Sequence, residues 1–168
     1  MSSKSTHLIR EARSEDSSSI SRIYSEAILA RDSTMIMDPV SPSQMEEKLG
    51  HLDDRETILV ATDAQKTVLG WGIVKLYSDR PGYRLTCETS IFVDTPCRGM
   101  GIGSRLQKAL LIHAKNVGFH HVLVRIWAQN TSSISLHRKL GFTLVGIQNE
   151  VGHVDSKWID VAVMQCLL

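Results

Sequence analysis

The stretch from residue 92 to residue 104 constrains this chain more than any other. Phe92-Val93-Asp94 closes an apolar, strand-forming run, and Arg98-Gly99-Met100-Gly101-Ile102-Gly103 follows. Beyond it, Ile102, Leu106, Leu110, Ala114 and Val117 form one stripe at helical spacing, which predicts an amphipathic helix over 101–117. A strand handing over to a helix through three alternate glycines implies an α/β fold. Glycines let the backbone run close to a ligand without Cβ clashes. The first N–H groups of a helix have no internal partner. The helix dipole adds partial positive charge there, and Arg98 adds a full one. Together these suit a pyrophosphate. A tight turn needing glycine only for packing explains the glycine count equally well; the strand context and Arg98 favour the anion site. There is no Walker lysine, and the spacing is not the G-x-G-x-x-G of dinucleotide folds.

The rest of the chain alternates strands and helices. Residues 7–12 alternate like a short strand. Ile20, Ile23, Tyr24 and Ala27 then recur at helical spacing, giving a first helix to about Ala30. Residues 31–40 have no period and read as a loop. Ser41-Pro42-Ser43-Gln44 opens a second helix, with Ser as N-cap, Pro in the first turn and Gln in capping-box position. Strands are expected over 57–62, 68–77 and 85–94, the first two as a hairpin, with a loop at Asp79-Arg80-Pro81-Gly82. Gly118 is placed as a helix C-cap. Another strand spans 122–128 and another helix 131–140, closed by Gly141. Strands over 142–146 and 158–164 finish the chain, with a polar connection between them. No repeat, linker or low-complexity stretch divides it, so one domain over residues 1–168 is expected. The predicted architecture is a mixed, mostly antiparallel α/β sheet with helices on both faces.

Composition removes several classes of function. The formal net charge of +1 argues against a protein that neutralises many nucleic-acid phosphates. Cys87, Cys97 and Cys166 form no C-x-x-C motif, and any disulfide would leave one over. No His/Cys/Asp group has ligand spacing, so no metal is expected. The start of the chain is polar and no apolar run is long enough to span a membrane, so the expectation is a cytoplasmic protein without a leader.

Arg98-x-x-Gly101-x-Gly103 resembles the pyrophosphate motif R/Q-x-x-G-x-G/A of the GNAT acetyltransferases. Asn130-Thr131-Ser132-Ser133 and Leu136-His137-Arg138-Lys139-Leu140-Gly141-Phe142 resemble that superfamily's Asn-x-x-Ser and Leu-Gly-Phe signatures. The resemblance runs over about residues 7–165. Tyr83-Arg84, Thr86-Cys87-Glu88-Thr89-Ser90-Ile91-Phe92-Val93-Asp94, His137 and Lys157-Trp158-Ile159-Asp160-Val161 look most like the phosphinothricin and methionine sulfoximine acetyltransferases.

That resemblance implies acetyl-CoA as co-substrate and a small-molecule amine, an amino acid or its analogue, as acceptor by direct transfer. The cofactor side would comprise Ile91, Phe92, Val93, Arg98, Gly99, Met100, Gly101, Ile102, Gly103, Ser104, Asn130 and Ser133. Arg105 and Lys108 are candidates for the 3′-phosphate. Glu88 interrupts an apolar strand; a carboxylate there must face a cleft or be paired, so it is either the general base or a structural partner of Arg84 or Arg125. His137 is either the acid for the departing thiolate or a packing residue. Tyr77, Tyr83, Arg84, Cys87 and Thr89 are the acceptor-side candidates, with Arg80 nearby and arginine suited to a carboxylate or phosphinate. A homodimer is implied through the late strands and Trp158.

The chain departs from the phosphinothricin group on the acceptor side alone. It has Tyr77-Ser78 where the group has an aromatic-plus-basic pair, and Met35 and Met37 where the loop before Pro39 usually carries an aromatic. Another amine (a peptide N-terminus, a polyamine, an antibiotic) and a non-catalytic acyl-CoA sensor are the competing readings. The sensor would not need both Glu88 and His137.

Overall fold

The computed structural model describes residues 7–168. Residues 1–6, where the leaderless start was read, lie outside the described residues. Strand β1 (Leu8–Glu11) precedes helices α1 (Ser17–Ala30) and α2 (Pro42–Gly50). Strands β2 (Thr57–Thr62), β3 (Val68–Leu76) and β4 (Thr86–Val93) follow, then α3 (Ile102–Asn116), β5 (His121–Trp127), α4 (Thr131–Lys139), β6 (Thr143–Val154) and β7 (Lys157–Leu167). The strands form one seven-stranded sheet in the order β1-β2-β3-β4-β5-β7-β6. Only the central β4–β5 pair is parallel; the other neighbours are antiparallel.

Side-chain alternation along β4 divides the core in two. Cys87, Ile91 and Val93 face α3, whose Ile102, Leu106, Leu110 and Ala114 are sealed at 1% exposure or less. Phe92 faces the other way, joining Trp71 and Ile73 of β3, Ile20 and Ile23 of α1 and Met45 of α2. Burying each large aliphatic side chain contributes about 1.5–3 kcal/mol, so the single apolar stripe of α3 is enough to fix that helix on the sheet. Helices therefore cover both faces, as expected. The capping box at α2 also forms: Ser41 Oγ accepts from Gln44 N at 3.2 Å, and Gln44 Oε1 accepts from Ser41 N at 2.8 Å.

The C-terminal region corrects the sequence reading. The stretch taken as a polar connection is strand: β6 runs to Val154, β7 begins at Lys157, and only Asp155-Ser156 turns between them, both at positive φ (46° and 63°). Polar Gln148-Asn149-Glu150 breaks the alternation because the strand bulges there. The register shifts between Gln148 and Gly152, and Glu150 N donates to Asp160 Oδ1 at 2.7 Å. An outermost strand exposed along most of its length carries polar residues without ceasing to be a strand.

Candidate active site

The ladder between β4 and β5 ends at Glu88–Leu123. Beyond that pair the two strands diverge, and the β5-facing edge of β4 is left open. A cleft of about 980 Å³ occupies the divergence. Ile91, Phe92 and Val93 line one wall, Trp127, Asn130 and Ser133 the other, and Arg98, Gly99, Gly101, Ile102, Gly103 and Ser104 its end. Of the residues expected on the cofactor side, only Met100 is not part of the lining; its side chain points out at 53% exposure.

The end of the cleft fits a pyrophosphate by its own geometry. Gly99 and Gly101 both sit at φ +78°, a left-handed conformation that side chains disfavour, with open space where a Cβ would lie. Gly101 is the N-cap of α3 and offers no side-chain cap. The first N–H groups of that helix are therefore left for a ligand, at the positive end of its dipole. Arg98 donates from Nε to Val93 O at 3.4 Å and makes no ion pair among the described residues. Asn130 Oδ1 accepts from Ser133 N at 3.1 Å, capping α4; its amide nitrogen makes no hydrogen bond among the described residues. Arg105, by contrast, is engaged by the carbonyl of His7.

On the opposite face of the sheet from α3, one step back along the strands, lies a second group. Glu88 is 8% exposed. Its Oε2 accepts from Arg125 Nη1 at 2.5 Å and lies 3.8 Å from Lys75 Nζ. The guanidinium of Arg125 stands 5.8 Å from the centre of the Tyr77 ring, and Tyr77 meets Tyr83 edge-on at 5.2 Å. The structure thus brings Glu88, Tyr77 and Tyr83 to one region and adds Arg125 and Lys75. Arg84 is exposed and offers its backbone carbonyl to Arg55 Nη1 at 2.7 Å.

Three of the expected site residues are buried away from the cleft lining. Alternation turns Cys87 and Thr89 away from Glu88 towards α3. Cys87 is fully buried, and its thiol is pushed up to about 12 by that burial. Thr89 is 2% exposed and accepts from Gln107 Nε2 at 2.9 Å. His137 is not part of the cleft lining. It is 3% exposed, packs edge-on against Phe142 at 5.1 Å, and bonds Ser133 O through Nδ1 at 2.8 Å. Burial lowers its pKa, which keeps the ring neutral near pH 7.

Among the lining residues missed from sequence are Trp127, Cys97, Gln129, Ser135 and residues 31–33. Trp127 had a usable signal: it stands two residues after Arg125 on β5, and alternation places both on the Glu88 face. The contribution of residues 31–33 had none, since it depends on long-range contacts. Arg31 Nε meets Asp155 Oδ2 at 3.2 Å, and the Met35 side chain packs on Gly152 of β6.

A splayed parallel pair with a glycine-lined anion site at its end is the cleft of a protein that binds a pyrophosphate-bearing ligand. The comparisons agree. Residues 9–163 match the family described as Acetyltransferase (GNAT) domain, and the chain belongs to that family. It is an acetyl-CoA-dependent acetyltransferase. It is 34% identical to the L-methionine sulfoximine/L-methionine sulfone acetyltransferase of Pseudomonas aeruginosa, over 94% of this chain and 92% of that protein. It is 30% identical to the phosphinothricin N-acetyltransferase of Streptomyces coelicolor, over 92% of each. The crystal structure of a phosphinothricin acetyltransferase from Sinorhizobium meliloti in complex with acetyl-CoA superposes with a TM-score of 0.92 at 32% identity, covering 97% of this chain and 89% of that one.

Proposed function

We propose that the chain acetylates the amino group of a small amino acid or amino-acid analogue of the methionine sulfone or phosphinothricin type, by direct transfer. The observation that carries this is the continuity of the two groups. Phe92 and Trp127 in the cleft wall share a sheet face with Glu88 and Arg125, a few residues further back on the same two strands. An amine beside Glu88 would therefore lie next to the opening between β4 and β5.

Bound acetyl-CoA would supply the acetyl group as an activated thioester. The N-terminal amides of α3 and Arg98 would hold its pyrophosphate, and Asn130 its pantetheine arm. The open backbone edge of β4 at Ile91, Phe92 and Val93 would polarise the carbonyl. Glu88, through water, would draw a proton from the acceptor ammonium. The new N–C bond would then form as the C–S bond breaks, the acylated nitrogen losing its remaining extra proton to water in the cleft. His137 being neutral and buried, solvent in the cleft would return a proton to the leaving sulfur. Tyr77, Tyr83 and Arg84 would border the acceptor. A homodimer formed through β6 and β7 and a cytoplasmic location complete the reading; no helix among the described residues is long and apolar enough to cross a membrane.

Thiol release from acetyl-CoA against methionine sulfone, methionine sulfoximine, phosphinothricin, the standard amino acids, spermidine and a test peptide checks it. Turnover is expected with the amino acids and their analogues. Turnover of spermidine or the peptide alone would overturn the acceptor assignment. Glu88→Gln is expected to lower kcat at least a hundredfold, within the range of general-base losses of about 10²–10⁴, with acetyl-CoA affinity intact. Unchanged turnover would remove Glu88 from the mechanism.

A further inference from the structure

Arg125 is an unusual residue for its position. It lies in a strand flanked by buried Val124 and Ile126, two residues beyond the point where β5 leaves β4. A purely structural partner for Glu88 would be expected to spend its donors inside the protein. Arg125 does not: its side chain is 44% exposed, and only Nη1 is engaged, on Glu88. Nε and Nη2 have no acceptor among the described residues. Lys75 already places a second cation 3.8 Å from the same carboxylate oxygen. The Tyr77 ring backs the guanidinium on one side, and Tyr83 extends that wall.

A carboxylate and a guanidinium in direct contact mirror the charges of an α-amino acid, whose ammonium and carboxylate are separated by a single carbon. We propose that Arg125 is the residue that selects the acceptor, its free donors taking the α-carboxylate of an amino acid while Glu88 faces the ammonium. The proposal rests on the acetyltransferase reading above and deepens it. It assigns to Arg125 the carboxylate contact that the sequence pointed toward Arg84. The same charges would disfavour the competing amines. A polyamine would bring positive charge against Arg125 and Lys75, and a peptide N-terminus has no α-carboxylate to offer. A guanidinium is suited to this task because its planar fork accepts a carboxylate through two parallel bonds while a third nitrogen stays on Glu88.

The test compares L-methionine sulfone with its α-carboxamide as acceptors, in the wild type and in Arg125→Met and Arg125→Lys. A charged hydrogen bond contributes about 1.5–3 kcal/mol, or about ten- to a hundredfold. The wild type is expected to prefer the acid by at least tenfold in kcat/KM. In Arg125→Met that preference should vanish, mainly through KM of the acid, with acetyl-CoA affinity unchanged. Arg125→Lys should keep an intermediate preference, because it retains the charge and loses the fork; it carries the test should the methionine variant fail to fold. Equal losses on both acceptors would mean that Arg125 only positions Glu88, and would overturn the proposal. A preference unchanged in both variants would overturn it as well. In either case amino-acid turnover by the wild type leaves the reading of the enzyme standing. No turnover of any amino acid by the wild type would remove that reading and this inference with it.

Discussion

Arg22 on α1 grips Asp94 with two hydrogen bonds, Nη1 to Oδ1 at 3.1 Å and Nη2 to Oδ2 at 2.8 Å. Asp94 is the residue between the end of β4 and the turn that carries Arg98, Gly99 and Gly101. One ion pair therefore ties the first helix of the chain to the start of the glycine turn at the cleft, 72 residues away in sequence.

This pair makes stability depend on acid. The hydrogen bonds and charge of Arg22 hold the Asp94 carboxyl below its ordinary range. A lowered folded-state pKa contributes stability above the unfolded value, about 3.9, which is lost as pH falls through the folded one. Arg10 does the same for Asp16, with bonds of 2.7 and 2.9 Å. Between pH 5 and pH 3 the wild type should lose melting temperature, and Asp94→Asn should lose less of it over the same interval. At pH 7 Arg22→Ala is expected to cost about 1 kcal/mol, since the arginine is half exposed, and to weaken acetyl-CoA binding a few-fold. Parallel melting curves for wild type and Asp94→Asn across that interval would refute the linkage.

Gly101→Ala isolates the backbone of the anion site. No side chain would be struck at this position, so any loss comes from the left-handed conformation at φ +78°. A Cβ costs about 1–2 kcal/mol there. If the turn relaxes to avoid that strain, the amides of α3 move off the pyrophosphate. The expected result is a tenfold or larger rise in the acetyl-CoA Kd by calorimetry, with near-native circular dichroism. An unaltered Kd would mean that the turn serves packing alone.

His137 gives a prediction of opposite kind, because it should matter to stability and little to chemistry. Burial keeps its folded-state pKa below the unfolded value near 6.5. The unfolded chain then binds a proton that the folded chain does not, so stability is present above pH 6.5 and declines as pH falls below it. His137→Phe keeps a ring against Phe142 but loses the bond to Ser133 O. It should melt lower at pH 7.5, show a shallower decline between pH 6.5 and pH 5, and keep kcat within about fivefold. A loss of a hundredfold in kcat, well within general-acid magnitudes of about 10²–10⁴, would return His137 to the mechanism.

The glycine-turn end of the cleft was readable in sequence because its information is local. A glycine turn, an arginine and a helix start lie within a few residues, and backbone physics fixes what they make together. The acceptor side was readable only in part. Cys87 and Thr89 stand beside Glu88 in the sequence, yet strand alternation sends them to the other face of the sheet, where α3 buries them. Arg125 was legible as a partner for Glu88 but not as a donor with capacity to spare. That depends on how far β5 diverges from β4, a property of the whole sheet. The length of β6 was hidden for another reason: on an exposed outer strand, polar and apolar residues satisfy the same backbone ladder, so periodicity loses its force.

The proposed homodimer is the remaining consequence. β6 is the terminal strand of the sheet, and its outer edge has no partner among the described residues. Leu144, Val145, Ile147 and Val151 on it are 44–58% exposed, and Trp158 on β7 is 62% exposed. Natural proteins guard long edge strands with charge, proline or a covering element; the segment Leu144-Val145-Gly146-Ile147 has none of the first two. A second copy laid against this face would bury those side chains. Asp155 at the tip of the hairpin also holds Arg31, so the interface would border the loop that lines the cleft. Sedimentation at micromolar concentration should give the mass of two chains, and Val145→Asp with Ile147→Asp should give one. Because the loop is held by the hairpin, the monomeric double variant should also show a raised acceptor KM while binding acetyl-CoA normally. A monomeric wild type would remove the dimer, and a monomeric variant with unchanged acceptor kinetics would separate assembly from the site.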